Sequence, residues 1–210
     1  MNIEFVGDPL AILDFDVECR PLHWYGGDFV SKQITAIAWQ FIGTQKRGTQ
    51  KRGTQKRPRA VALGEKDLGH MLEEFVRAYD AADAVTGHFI RGFDLPLING
   101  ACLELGLPPL GKKLTQDTKL DLMRFSGLSK SQENLGALLG LKHPKVQMDQ
   151  AKWREANKLT PEGIALTKKR VTGDVAQHIE MREELLNRGM LNPVMKLWTP
   201  TTSGKGGYHA

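Results

Sequence analysis

Ile12-Leu13-Asp14-Phe15-Asp16-Val17-Glu18 alternates apolar and acidic side chains from Leu13 onward. A period of two is that of a half-buried β-strand. It places Leu13, Phe15 and Val17 on one face and Asp14, Asp16 and Glu18 on the other. Acids stacked along one strand face repel one another and need an offsetting partner. A divalent cation with oxygen ligands is the simplest one.

Working outward, Gln33 to Ile42 (QITAIAWQFI) reads as a second, well-buried strand and Arg59 to Gly64 (RAVALG) as a third. The polar loop between them predicts an antiparallel hairpin. Asp67 to Asp80 carries Leu68, Met71, Leu72, Phe75, Val76 and Tyr79, an i, i+3, i+4 helical stripe. A short strand at Asp83 to Thr86 is followed by a helix opening at Phe93-Asp94-Leu95 and running to about Leu105. A strand and turn near Thr115 to Phe125 precede a helix over Ser131 to Leu141, capped near Ser131 and ending at Gly140. Thr160-Pro161-Glu162 starts one long helix or two abutting ones, reaching Arg188. Three strands, then alternating helices and strands, predict an α/β fold. It would have an antiparallel three-strand meander plus parallel strands in one mixed sheet, flanked by helices.

The chain has 210 residues, 40% hydrophobic and 25% charged, as in a soluble globular protein. One domain over residues 1–198 is expected, with a small polar tail, 199–210, expected to be disordered. No apolar run is long enough to span a bilayer, and MNIEFVGDPL lacks the pattern of a secretory signal. Cys19 and Cys102 make no disulfide framework. A cytoplasmic protein is expected. Gly43 to Arg57 is GTQKR three times over, and removing its six positive charges takes the formal net charge from +5 to −1. The basic character therefore resides in one hairpin-loop insert at 43–57. Its Lys46, Arg47, Lys51, Arg52, Lys56 and Arg57, at a tip beside a cleft, would attract phosphate without reading sequence. An inert duplication in a tolerant loop explains the repeat equally well.

Two more acids stand in patterned surroundings: Asp94 in GHFIRGFDLPLI and Asp174 in KKRVTGDVAQHIEMREEL. With Asp16 and Glu18 they make an ordered set that resembles the DEDD-type (DnaQ-like) 3′–5′ exonucleases of the RNase H-like superfamily. Phage-encoded and polymerase-associated members are the most similar in character. Phe15-Asp16-Val17-Glu18 resembles the first motif, Gly87 to Asp94 the second, and Asp174-Val175 the third, over about Leu13 to Leu186. The resemblance implies catalytic and metal-binding roles for Asp16, Glu18, Asp94 and Asp174. It also implies two divalent ions, Mg²⁺ or Mn²⁺, and hydrolysis at the 3′ end of single-stranded DNA, with RNA as the alternative. A DNA polymerase would be a partner, and a phage protein would act in the host cytoplasm.

The sequence departs from the family at two places. Tyr four residues before the last Asp, or His five before, is the family habit, and here Arg170 and Lys169 stand there. Neither is a base near neutral pH. Arg170 is thus a candidate phosphate ligand, and His178, one helical turn after Asp174, a candidate substitute base. An Asn also usually stands near His88-Phe89. These departures sustain a second expectation, a catalytically impaired module that binds nucleic acid or docks on a polymerase. Plainer roles exist for each acid: a solvated strand face for Asp16 and Glu18, dipole complementation for Asp94, and a helix cap after Gly173 for Asp174. Asp14 reads as a supporting or surface acid, His88 as structural and Asp117 as a turn cap. Trp24, Trp39, Trp153 and Trp198 read first as core or docking residues.

Overall fold

A computed structural model describes residues 10–22, 30–42, 57–143 and 145–200. Of the sequence expectations, Trp24, the insert from Gly43 to Lys56 and the tail from residue 201 lie outside the described residues. The elements run β1 (Ile12–Pro21), β2 (Lys32–Ile42), β3 (Arg59–Ala62), α1 (Leu68–Ala81), β4 (Ala84–Gly87), α2 (Asp94–Glu104), β5 (Lys113–Asp117), α3 (Gln132–Leu139), α4 (Gln150–Ala156), α5 (Pro161–Asn187) and β6 (Lys196–Trp198).

One sheet takes the order β3-β2-β1-β4-β5-β6. β1, β2 and β3 form the antiparallel meander, β4 and β5 add in parallel, and β6 closes the edge antiparallel to β5. This is the expected α/β arrangement, a mixed sheet of antiparallel meander plus parallel strands flanked by helices, consistent with an RNase H-like fold. The parallel β4–β5 pair is linked through α2, while the chain passes through β2, β3 and α1 before β4 pairs parallel to β1.

Alternation in β1 sorts the two faces. Leu13, Phe15 and Val17 join Met71, Leu72, Phe75 and Tyr79 of α1 and Ile37 and Trp39 of β2 in the main core. Trp39 meets Phe75 edge-on, with ring centroids 6.0 Å apart. The opposite face receives α5. There the small Ala36, Ala38 and Ala62 pack against Ile164, Val171 and Val175, so the helix comes close to the acid-bearing face of β1. A third cluster joins Leu122 and Leu135 to Met181, Leu185 and Leu191.

Local signals set the helix ends. Asp67, Ser131 and Thr160 are N-caps whose side chains accept from the backbone N–H three residues on, and Pro161 follows Thr160. Gly140, at φ 67°, ends α3 in the left-handed conformation that glycine tolerates. α5 is one continuous 27-residue helix through Gly173, so Asp174 is not a cap. The β1–β2 register slips between Glu18 and Cys19, because Glu18 pairs with Ala36 and Cys19 with Ile34. Such a bulge sharpens the local twist just past Glu18. Ile42 pairs with Ile12, at the other end of β1 from Glu18. The described roots of the basic insert, Ile42 and Arg57, therefore stand away from the acidic end of the strand. By strand rise the separation is about 20 Å.

Candidate active site

β1 outruns β4. The parallel pairing covers Ile12, Leu13 and Asp14 and stops, leaving the backbone of Asp16 to Glu18 without a strand on that side. Asp94, the first residue of α2, fills the gap: its Oδ1 accepts the Val17 N–H at 3.0 Å. The bond fixes the start of α2 against β1. Asp174 comes from α5, on the face toward β1.

Oxygens of Asp16, Glu18 and Asp174 lie within 4.8 Å of one another. Asp94 lines the same cleft of about 300 Å³. All four expected carboxylates are thus brought together. Burial raises the pKa of every one. Asp16 is pushed well up by burial and then by Asp94, Asp174 and Glu18. Glu18 rises to about 6 through burial and Asp174, held back by Arg170. Asp94 rises to about 8 through burial, held back by the Val17 N–H. Asp174 is raised by burial against the pull of Lys145 and Arg170. Such groups favour a bound proton or a cation.

Two cations already stand on the cluster. Arg170 Nε lies 3.2 Å from Glu18 Oε1 and its Nη2 3.0 Å from Asp174 Oδ2. Lys145 Nζ lies 3.2 Å from the same Asp174 oxygen. Asp174 Oδ1 is buried without a hydrogen-bond partner. Close oxygens from three carboxylates, one of them unpartnered, fit a hard divalent ion such as Mg²⁺ or Mn²⁺. Asp16, Glu18 and Asp174 are the residues that would hold it, with Asp94 lining the same cleft.

The remaining residues fall into different places. Asp14 is fully buried and no surface acid; it binds His178 Nδ1 at 2.5 Å, and His178 Nε2 meets Thr118 Oγ1 at 2.9 Å. Both ring nitrogens of His178 are thus engaged behind the cleft, which removes it as a base for the acids. Thr118 Oγ1 also meets His88 Nδ1 at 2.9 Å. Burial, with the neighbouring His178 and Lys145, pushes His88 down to about 3 and keeps it neutral. Asp117 accepts the N–H groups of Phe89, Arg91, Lys119 and Leu120, and so organises the loop that delivers Asp94. Arg57 is exposed beside β3, while Lys46, Arg47, Lys51, Arg52 and Lys56 lie outside the described residues.

Sequence reasoning missed Lys145 and the aromatic wall. Phe89 and Phe93 line the cleft, with Lys119 Nζ 4.0 Å from the Phe89 ring centre and Lys32 Nζ 4.9 Å from that of Phe93. Lys145 lies in a polar loop with no period to mark it. The aromatic-then-Asp spelling of Phe93-Asp94 was the available signal for the wall.

No family model matches the sequence, and no curated protein matches it. Among solved structures, the fold is similar to a family B DNA polymerase from the hyperthermophilic archaeon Pyrobaculum calidifontis. The TM-score is 0.64 at 17% identity, over 87% of this chain. The chain spans 25% of that polymerase's length. At this identity the likeness is one of fold. No helix among the described residues is long and apolar enough to cross a membrane.

Proposed function

We propose that the protein is a divalent-metal-dependent 3′–5′ exonuclease that hydrolyses phosphodiester bonds at the 3′ end of single-stranded DNA, in replication or proofreading. The observation that carries this reading is the convergence of Asp16, Glu18, Asp94 and Asp174, from three separate elements, in one cleft. The likeness in fold to a DNA polymerase supports a polymerase or its DNA as partner. When bound, the metal supplies Lewis acidity toward phosphate and activation of water.

The chain's own residues do the rest. Asp94 locks onto the Val17 N–H and keeps Asp16 and Glu18 in place beside it. Phe89 and Phe93 offer ring faces on which an unpaired terminal base stacks, which any base can do. Lys119 at the same wall and Arg170 on the acids supply positive charge for the phosphates flanking the bond to be cut. Aromatic rings in the cleft wall suit a frayed single strand better than a duplex, and RNA is the competing substrate.

A second reading keeps its place because Arg170 and Lys145 pair with the acids: a module that binds nucleic acid without cutting it. A gel assay with 5′-labelled and 3′-blocked DNA and RNA oligonucleotides, in Mg²⁺, Mn²⁺ or chelator, separates the two. Stepwise 3′ shortening that needs metal, stops at the block and vanishes in Asp16→Asn is the expected result. Binding without shortening in any metal favours the module. Equal turnover by wild type and Asp16→Asn would sink the assignment of the site.

A further inference from the structure

Arg170 stands four residues before Asp174, and its side chain is only 11% exposed. Its guanidinium is held from three sides: by Glu18 Oε1, by Asp174 Oδ2 and by the carbonyl of Val146, to which it donates. A planar fork bonded at several points is a fixed charge, unlike a mobile surface ion pair. Lys145 adds a second cation on Asp174. Lys119, the third cation of the cleft, lies over the Phe89 ring instead.

The partners divide the carboxylate oxygens unequally. Asp174 Oδ2 takes both cations, while Asp174 Oδ1 has no partner although the side chain is 3% exposed. A buried carboxylate oxygen left unpaired is costly, and a cation ligand satisfies it. Four carboxylates against the two cations that pair with Glu18 and Asp174 leave a formal charge of −2 on the cluster itself, with Lys119 set apart on the Phe89 ring. One divalent ion cancels that charge. Two would leave +2 in a half-closed cleft with Arg170 and Lys145 still in place.

We infer that the cleft takes a single resident divalent ion, on Asp16 and Asp174, and that the Arg170 guanidinium serves as a built-in cation in place of a second. The inference rests on the metal-dependent reading above and specifies its metal count. It also assigns Arg170, as a positioning residue, the task of holding Glu18 when no nucleic acid is present.

The test is a count of bound Mn²⁺ on the full chain without nucleic acid. Calorimetric titration and the loss of the free Mn²⁺ electron paramagnetic resonance signal both give the number. The expected result is one ion per chain in the wild type and two in Arg170→Gln, with Arg170→Lys remaining at one. Two ions in the wild type overturn the inference and leave the nuclease reading standing. No bound ion in the wild type removes both. A count of one in a folded Arg170→Gln also overturns it, because the guanidinium then excludes nothing. Should Arg170→Gln fail to fold by circular dichroism, Lys145→Gln tests the same charge balance. Loss of one cation a few ångströms away should tighten the single ion about tenfold or more, and unchanged affinity contradicts the inference.

Discussion

At Phe89 the backbone enters the left-handed region, φ 72°, which a bulky side chain rarely adopts. Strain of this kind is worth about 1–3 kcal/mol and persists only where the surroundings enforce it. Here Asp117 accepts the Phe89 N–H. The ring lies so close over Gly92 that a Cβ there would come within 2.2 Å of it. Glycine at position 92 is thus what lets the aromatic lie on the cleft wall. Asn tolerates the left-handed region, so Phe89→Asn exchanges lost packing for relieved strain, and stability should move by less than about 1 kcal/mol. Binding of single strands should weaken by about fivefold to a hundredfold, the worth of one base–aromatic stack. Thermal melts and anisotropy titrations in an Asp16→Asn background check both, and unchanged affinity would take Phe89 out of the substrate path. His88 offers a pH test. Its folded pKa, near 3, lies below the ordinary 6.5, so below pH 6.5 the unfolded chain takes up a proton that the folded chain refuses. Its contribution is full above about pH 6.5 and is lost progressively as the pH falls toward 3. His88→Gln should therefore lose less stability than wild type between pH 7.5 and 4.5 in denaturant melts, and parallel losses contradict this. Alternation marks Asp16 and Glu18 in the sequence, while Asp94 and Asp174 were singled out by the order of the motifs in the family resemblance. The strained Phe89 and the lone Lys145 were not, because a φ angle and a loop lysine leave no period behind.

One helix and one strand build most of the site. Residues 170, 174 and 178 of α5 meet Glu18, Asp16 and Asp14 of β1 in reverse order. Four residues of helix rise about 6 Å and two residues of strand about 6.7 Å, so each helical turn stays opposite the next acid. Continuity of α5 through Gly173 is what keeps this register, and it answers the choice between one helix and two that the sequence left open. α4 and β6 escaped notice for a different reason. They are 7 and 3 residues long, too short for a periodic signal, and β6 is defined mainly by its pairing with β5. Close approach of α5 depends on small residues beneath it. Ala38, fully buried, pairs with Asp16 and packs in the cluster of Val171 and Val175. Ala38→Leu should cost about 1–3 kcal/mol through overpacking. By lifting α5 off β1 it should also weaken Mn²⁺ binding, although no metal ligand is changed. A variant as stable as wild type, with unaltered Mn²⁺ affinity, would show that the helix does not rest on this residue.

At the scale of the molecule, acids gather at one end of β1, and the described residues that flank the basic repeat, Ile42 and Arg57, stand toward the other end of the β2–β3 pair. Composition revealed the basic insert, but only the β1–β2 register shows its roots to be remote from the acids. A hairpin loop is recognised in sequence by its neighbours in the chain, whereas the distance of its roots from a third strand is set by pairing. The position of these roots frames a test of whether the repeat touches nucleic acid. Deleting Gly48 to Arg57 removes four positive charges and two repeat units and leaves every paired residue of β2 and β3 in place. Single-turnover cleavage at saturating substrate should not change, since the deleted stretch holds no acid. With a trinucleotide, too short to reach from Glu18 to the far end of the strand, the slope of log affinity against log salt should stay as in wild type. With a long single strand it should flatten by up to about 3 units, about 0.7 for each phosphate that the arm no longer neutralises. Equal slopes for both lengths identify the repeat as inert toward nucleic acid. A slope change already present with the trinucleotide places the basic arm at the cleft, against the separation that the strand register implies.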